Sequence, residues 1–162
     1  MERPSERPGP LRRLFYLAVG RLATTRWWTA YHRRWYRVAP ALASRGAWGP
    51  VVLITTVGRK TGEPRSAPVF GWPEGDAVVV VASNAGHDRA PAWYLNLRAN
   101  PDVAVNLSGR VRRMRARDAT SEERERLWPK LVRLYPGYEV YRTTTARPIP
   151  VVLLEPPAIV GR

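Results

Sequence analysis

Residues 51–72, VVLITTVGRKTGEPRSAPVFGW, contain the sequence pattern that most strongly indicates the fold. The first seven residues are apolar or β-branched, which is typical of a strand. Gly58 and Gly62 enclose a short basic segment and supply the unusual backbone conformations of a tight turn. The chain then returns through a second strand-like run over 65–72. Two strands joined by a short turn predict a β-hairpin, and hence an antiparallel sheet.

Four more strands are predicted downstream. A turn over 73–76 leads into the uninterrupted apolar run 77–82, which is typical of a buried strand. The six predicted strands cover residues 51–57, 65–72, 77–82, 103–107, 111–117 and 149–154. Six antiparallel strands of this length close, or nearly close, into a barrel. The sequence therefore predicts a mainly β fold of the α+β type, built on a six-stranded antiparallel barrel.

Short helices are predicted beside the strands. One covers 91–99, with a proline in its first turn. Another covers 120–134, where Thr120 and Glu123 form a capping-box pattern. Pro129 is expected to kink or interrupt this second helix, because proline lacks the backbone donor that a helix interior needs.

Composition limits the chemistry that the chain can perform. The chain has 162 residues, which favours one domain, and it contains no cysteine. Disulfides, thiolate catalysis and Cys-ligated metal centres are therefore excluded. Two histidines, His32 and His87, are too few for a multi-histidine site, so we expect no metal. The 27 basic and 13 acidic residues give a net charge of +14, which attracts anionic ligands and surfaces.

The N-terminal part of the chain differs in amino-acid composition from the rest. Residues 1–10 are expected to be a disordered tail, 11–46 a basic, aromatic-rich helical segment, and 47–162 the barrel domain. An amphipathic helix is predicted because apolar side chains recur at helical spacing, at Leu11, Leu14, Phe15, Ala18 and Leu22.

The charge of this N-terminal segment predicts contact with an anionic membrane. Residues 1–50 hold ten arginines and two glutamates. Basic amphipathic helices with aromatic residues lie in the headgroup region of such membranes. No run of 18 apolar residues is present, so we expect a cytoplasmic protein, peripheral on the inner face of the cell membrane. The alternative is that the helix packs its apolar stripe on the barrel or on a second subunit.

Three cations lie on or beside the first hairpin turn, at Arg59, Lys60 and Arg65. Exposed backbone amides combined with Arg and Lys suit a phosphate or a carboxylate. An ordinary solvated hairpin is the alternative, because the segment lacks the residue order of a nucleotide P-loop.

Two further clusters follow the buried strand. The small residues of 82–87 allow a ligand to approach the backbone closely, and Ser83 can donate a hydrogen bond, although a plain loop is the alternative. His87 is expected to be exposed or next to a ligand. On the next helix Trp93 and Asn96 share a face. A buried Asn needs partners for its amide, so Asn96 is expected to hold a loop carbonyl or a ligand.

The last cluster contains three tyrosines. Tyr135, Tyr138 and Tyr141 recur at every third position in a segment, 135–150, that is predicted to be a loop. Three phenols at this spacing can line a pocket for a planar aromatic substrate and donate hydrogen bonds to its oxygens. The alternative is that they pack against the barrel.

In combination these motifs resemble a known family. The matching blocks are LITTVGRKTG over 53–62 with Arg65 and Pro68, PAWYLNLRANP over 91–101, and the tyrosine segment followed by Ile149-Pro150-Val151. They look like the deazaflavin-dependent nitroreductases of actinobacteria, and the resemblance covers roughly residues 50–156 in the right order.

This resemblance implies a split β-barrel related to the FMN-binding pyridoxamine-phosphate oxidases. It implies coenzyme F420, whose tail carries a phosphate and a polyglutamate, and it assigns the three tyrosines to catalysis beside the acceptor. The residues assigned to the cofactor are Arg59, Lys60, Thr61, Arg65, Pro68, Ala82, Ser83, Asn84, Ala85, Gly86, Pro91, Trp93 and Asn96. Members often carry Lys-Gly where this chain has Asn84-Ala85, so one phosphate-facing cation is missing.

The expected activity is hydride transfer from reduced F420 to a quinone-like or nitroaromatic acceptor. One rival is an FMN-binding oxidoreductase of the same fold, and another is a carrier that binds F420 without turnover. A third is a module that uses the basic N-terminus to bind nucleic acid or membrane. Nucleic acid is not an expected partner, because no helix-turn-helix, zinc-finger or RRM signature is present. Split barrels often dimerise, so a homodimer is one expected assembly.

Overall fold

The computed structural model describes residues 9–39, 44–46 and 49–157. Most of the predicted tail, residues 1–8, lies outside the described residues. The helices are α1 Pro10–Ala23, α2 Arg26–Val38, α3 Ala92–Ala99, α4 Ser121–Leu134 and α5 Gly137–Arg142, and a 3-10 turn covers Asn84–Gly86. The strands are β1 Arg45–Gly46, β2 Gly49–Val57, β3 Pro64–Glu74, β4 Ala77–Val81, β5 Asp102–Leu107, β6 Arg110–Asp118 and β7 Val151–Glu155.

Strands β2 to β7 form a closed barrel. Their order is β2-β3-β4-β7-β6-β5, and β5 pairs back on β2. Neighbouring strands are antiparallel around the whole circuit. Ile54 of β2 lies at the closure, opposite Ala67 on one side and Val105 on the other. The predicted six-stranded antiparallel barrel is confirmed.

The barrel strands β4 and β7 separate two cores. Successive residues of a strand point to opposite faces of the sheet. Val78 and Val80 therefore face the barrel interior, whereas Val79 and Val81 face a second core under α4 and α5. Burial on both faces requires an apolar residue at every position, which explains why 77–82 shows no alternation.

The N-terminal helical segment contains two helices. Their break lies at Thr24 and Thr25, whose hydroxyls donate hydrogen bonds back to the carbonyls of Arg21 and Leu22 at 2.9 and 2.7 Å. Such local bonds compete with continuation of the helix. Along the described residues, no helix combines the length and the apolar character that a membrane crossing would need.

Helix α1 packs on the barrel domain through the face opposite to the predicted apolar stripe. Tyr16 and Gly20 are the buried residues of α1, and they lie against α5 and the 3-10 turn. The five residues of the stripe, Leu11, Leu14, Phe15, Ala18 and Leu22, are all exposed. The buried contact of α1 with the barrel domain is therefore made by the face of Tyr16 and Gly20, and the predicted stripe lies on the exposed side of the helix.

The C-terminal helices differ in part from the prediction. The capping box of α4 is confirmed, since Thr120 accepts from the Glu123 amide and Glu123 accepts from the Thr120 amide. Pro129 does not end the helix, because it lies on an exposed face where water can serve the carbonyl that lacks a donor. The loop prediction is wrong for residues 137–142, which form α5 directly after Pro136. Six residues are too few to show helical periodicity in the sequence.

Candidate cofactor and acceptor site

A cavity of about 980 Å³ lies between the outer surface of β3, the first hairpin turn, the 3-10 turn and helices α1, α3 and α5. Fourteen of the sixteen predicted site residues line it: Arg59, Lys60, Thr61, Arg65, Pro68, Ser83, Asn84, Ala85, Pro91, Trp93, Asn96, Tyr135, Tyr138 and Tyr141. Ala82 instead points into the barrel interior. Gly86 lies behind the wall, where an added Cβ would be 3.3 Å from the Cβ of Thr144.

The cationic turn, residues 58–65, is a compact backbone structure. The Gly58 amide donates to the Glu63 carbonyl at 2.8 Å, and the Gly62 amide donates to the Gly58 carbonyl at 2.7 Å. Gly62 has a φ of +72°, a left-handed conformation that favours glycine. The turn therefore holds its cations in a defined arrangement.

Asn96 anchors the cationic turn to the barrel. Its Oδ1 accepts from the backbone amide and from Nη1 of Arg59, both at 3.2 Å, and its Nδ2 donates to Oγ1 of Thr56 at 3.1 Å. Asn96 is only 4% exposed, so these bonds satisfy an amide that is otherwise cut off from water. The structure thus shows Asn96 holding the turn through the amide and side chain of Arg59, and not through a loop carbonyl as predicted.

Two cationic side chains of the turn have no hydrogen-bond or ion-pair partner among the described residues. The side chains of Lys60 and Arg65 are exposed and line the cavity, and they make no ion pair or side-chain hydrogen bond with any described residue. An exposed cation without an acidic partner is available to an anionic ligand. This end of the cavity can therefore bind phosphate or carboxylate groups.

The tyrosine wall, formed by Tyr135, Tyr138 and Tyr141, contains a hydrogen-bonded pair. Tyr141 donates its single hydroxyl proton to the carbonyl of Tyr16 on α1 at 3.0 Å. The hydroxyls of Tyr135 and Tyr141 lie 2.9 Å apart, so Tyr135 must be the donor to Tyr141. Both protons are thereby committed within the protein.

Tyr138 differs from its two neighbours. It is 3% exposed and lines the cavity, yet its hydroxyl makes no hydrogen bond to any residue that the structure describes. Burial raises the pKa of Tyr138 well above its usual value, with smaller contributions from the neighbouring Tyr135 and Tyr141. Tyr138 is therefore a neutral phenol with a free proton facing the cavity.

Helix α1 completes the wall in a way that the sequence analysis missed. A Cβ at Gly20 would lie 2.2 Å from the hydroxyl oxygen of Tyr141, so only glycine allows this approach. The ring of Tyr16 packs edge-on against Tyr135, with centroids 5.5 Å apart. Additional lining residues from this part of the chain are Val19, Leu22, Ala23 and Thr24. A weak signal existed, because Tyr16 and Gly20 share a face of the predicted helix.

The chemistry of this cavity fits F420. Free cations at the cationic turn suit the phosphate and polyglutamate of the tail. Aromatic and apolar walls suit a flat ring system, and Tyr138 offers a hydrogen bond to a polar atom beside it. A volume of about 980 Å³ is at the upper end for single-ligand sites, which leaves room for a cofactor ring and an acceptor together.

Comparison with known proteins agrees with this geometry. The family model for F420H(2)-dependent quinone reductase matches residues 28–156. An F420H(2)-dependent quinone reductase of Mycobacterium tuberculosis is 38% identical over 108 residues, which are 65% of this chain and 72% of that protein. A second M. tuberculosis protein, a candidate for the same activity, is 38% identical over 66% of this chain and 90% of its own length.

Solved structures show the same fold. An F420-H2 dependent reductase is 41% identical, with a TM-score of 0.60 over 65% of this chain and 94% of that chain. A protein solved as a domain-swapped dimer is 35% identical, with a TM-score of 0.63 over 78% of this chain and 95% of its own. The family model spans most of the chain, including every barrel strand and the residues of the cationic turn and the tyrosine wall, and the chain belongs to the F420H(2)-dependent quinone reductase family.

Proposed function

We propose that the protein is an F420-dependent oxidoreductase that transfers a hydride from the reduced cofactor to a quinone-like or nitroaromatic acceptor. The observation that carries this proposal is that the free cations Lys60 and Arg65 and the buried phenol of Tyr138 line the same cavity. A quinone is the favoured acceptor, because the matching family and the M. tuberculosis relative carry that name.

The cationic turn binds the tail of the cofactor. Lys60 and Arg65 supply the charge, and Arg59 is oriented by its two bonds to Asn96. A hydrogen bond to a charged group contributes about 1.5–3 kcal/mol. When bound, the reduced deazaflavin supplies the hydride, and the protein supplies orientation and electrostatics.

The tyrosine wall orients the acceptor. The hydroxyl of Tyr138 donates a hydrogen bond to the acceptor oxygen that gains negative charge, and this bond stabilises the transition state more than the ground state. Tyr135 and Tyr141 keep the wall rigid through their shared bond and the carbonyl of Tyr16. Helix α1 covers this side of the cavity and limits the access of water.

The test is oxidation of reduced F420 by a water-soluble quinone, followed through recovery of the oxidised cofactor's absorbance. We expect saturable turnover with the quinone and slower turnover with a nitroaromatic compound. Tight F420 binding without acceptor-dependent oxidation would identify a carrier instead. Turnover with reduced FMN in place of F420 would identify the flavin-dependent rival.

We further propose that the exposed face of α1 and α2 binds an anionic membrane. Leu11, Leu14 and Trp27 are 83%, 64% and 89% exposed, and further large apolar residues on these helices are exposed as well: Phe15, Leu22, Tyr31, Trp35 and Val38. Trp27, Tyr31 and Trp35 recur at four-residue intervals, so they share one face of α2. Large exposed apolar side chains in this number mark an interaction site.

Charge selects an anionic bilayer as the occupant of this face. Residues 7–62 contain no aspartate or glutamate, whereas the exposed arginines of the two helices include Arg12, Arg13, Arg21 and Arg34. Each basic residue near an anionic bilayer adds about 1 kcal/mol to binding. Membrane binding would bring a quinone dissolved in the bilayer close to the cavity, because residues of α1 also line the cavity.

Vesicle co-sedimentation tests the membrane proposal. Truncation of the N-terminus would remove Tyr16 and Gly20 from the site, so the variant should be Leu11→Gln/Leu14→Gln/Trp27→Gln, which changes only exposed residues. We expect the wild type to pellet with phosphatidylglycerol vesicles and the triple variant to stay in solution. Val111→Gln, which changes an exposed apolar residue on β6, is the matched control and should pellet.

A second copy of the chain is the competing occupant of this face. The domain-swapped assembly of the 35% identical structure supports a homodimer as one assembly for this family. If the wild type is a dimer in solution and the triple variant is a monomer, while neither pellets with vesicles, the face is a subunit interface and the membrane proposal is wrong.

A further inference from the structure

The 3-10 turn that lines the cavity has a strained backbone. Asn84, Ala85 and Gly86 have φ values of +46°, +53° and +75°, so three successive residues adopt the left-handed conformation. Only glycine takes this conformation without cost, and a strained turn persists only where its surroundings hold it. Some other part of the molecule must therefore fix residues 84–86 in place.

Arg147 makes the contacts that fix this turn. Its Nη2 donates to the carbonyls of Ala82 and Ser83 at 3.0 and 2.8 Å, and its Nε donates to the carbonyl of His87 at 3.0 Å. One planar guanidinium thus bridges the chain on both sides of the turn. The fixed fork of donors in arginine makes this possible, and lysine, with a single nitrogen, could not reproduce it.

The segment that carries Arg147 is itself fastened to the same loop. The hydroxyl of Thr145, which is buried, donates to Oδ1 of Asp88 at 2.9 Å and accepts from the Arg147 amide at 3.3 Å. Asn84 is held separately, since its Nδ2 donates to the carbonyl of Arg89 at 2.8 Å. Asp88, Thr145 and Arg147 are not among the residues that line the cavity.

We propose that Arg147 is a positioning residue for cofactor binding: its guanidinium holds the left-handed turn 84–86 so that Ser83, Asn84 and Ala85 present the shape that F420 requires. This inference rests on the proposed function. Arg147 is not among the residues that line the cavity, so its proposed effect on the cofactor is exerted through the turn.

Two measurements on Arg147→Ala and Arg147→Lys test this role. The first is hydrogen exchange of the backbone amides of 83–87 in the protein without cofactor. The second is the dissociation constant of F420 from fluorescence titration. Both variants should exchange faster at these amides and bind F420 roughly ten- to hundredfold more weakly, because Lys cannot bridge the turn. Addition of guanidinium at a non-denaturing concentration should restore part of the affinity of Arg147→Ala.

Arg133→Ala is the matched control, since this exposed arginine of α4 makes no ion pair or side-chain hydrogen bond with a described residue. It should bind F420 like the wild type. Unchanged exchange at 83–87 in Arg147→Lys, or faster exchange with unchanged F420 affinity, would overturn the inference. A wild type that does not bind F420 would overturn the proposed function as well, whereas wild-type binding with unaltered variants overturns the inference alone.

Discussion

The cationic turn and the tyrosine wall each present three similar side chains to one cavity, but the protein engages them differently. In the cationic turn one member, Arg59, is bound by Asn96, and two cations remain free. In the tyrosine wall two members are bound to each other and to α1, and one phenol remains free. The bound members give each region its rigidity, and the free members are those that a ligand can contact.

Lys60, a free cation of the turn, and Asn96, its anchor, should respond differently to substitution, and these variants should show the strongest effects on F420 affinity. Lys60→Ala should weaken F420 binding by roughly ten- to hundredfold without changing the free energy of unfolding, because Lys60 has no partner within the described chain. Asn96→Ala should weaken binding and also lower the free energy of unfolding by about 1–3 kcal/mol, because it leaves buried polar groups unpaired. Fluorescence titration and urea unfolding measure the two quantities.

FMN provides the control for the Lys60 prediction. FMN lacks the longer anionic tail, so its affinity should fall less than that of F420 in Lys60→Ala. Equal losses for the two cofactors would show that Lys60 does not contact the tail, and an unfolding change as large as that of Asn96→Ala would show that it is not free.

Gly20→Ala should damage the tyrosine wall from the side of α1. In an unpacked helix this substitution stabilises by about 1 kcal/mol, because alanine is the better helix former. Here the new Cβ would lie 2.2 Å from the hydroxyl oxygen of Tyr141, so we expect a loss of about 1–3 kcal/mol in the free energy of unfolding. Thermal unfolding gives the sign, and a stabilised variant would mean that α1 does not pack on Tyr141.

Tyr138→Phe should lower turnover about tenfold and leave F420 affinity nearly unchanged, since it removes one proton donor and keeps the ring. Tyr135→Phe is the matched control, because its proton is committed to Tyr141. It should cost about 1 kcal/mol of stability and affect turnover less. Steady-state rates with a quinone decide, and a larger effect in Tyr135→Phe would reverse the assignment.

The smallest expected effect is that of pH. An ordinary phenol loses its proton near pH 10, and the raised pKa of Tyr138 moves this loss to higher pH. Turnover should therefore show no decline from this group up to about pH 10. Because the pKa of Tyr138 is higher in the folded than in the unfolded protein, this group adds to the free energy of unfolding. The addition is fully present below about pH 10 and is lost as the pH rises further. A turnover decline near pH 8 that Tyr138→Phe abolishes would contradict the assignment.

The comparison also shows what the sequence could predict. The barrel strands and the cavity residues were visible because apolar runs, turn glycines and blocks such as PAWYLNLRANP fix many positions at once. The sequence could not show which side chains of each cluster are hydrogen-bonded within the protein. This depends on contacts such as that of the Tyr141 hydroxyl with the Tyr16 carbonyl, across 125 positions of the chain.

Other features left no signature in residue type. Arg147 bonds to backbone carbonyls, which every residue has, so its role has no sequence pattern. The buried face of α1 could not be identified from the sequence, because Tyr16 and Gly20 do not belong to the apolar stripe. The stripe that the sequence shows lies on the exposed face of the helix. The helix α5 was not predicted because its six residues are too few to show helical periodicity.

Titration of the wild-type protein with F420, compared with FMN under the same conditions, is the decisive measurement. It asks whether one cavity binds a cofactor with an anionic tail at the cationic turn and places its ring beside the tyrosine wall. We expect saturable one-to-one binding of F420, weaker binding of FMN, and weakening of the F420 complex by salt, as charge contacts require. Absence of saturable F420 binding, or tighter binding of FMN, would show that the cavity is not an F420 site.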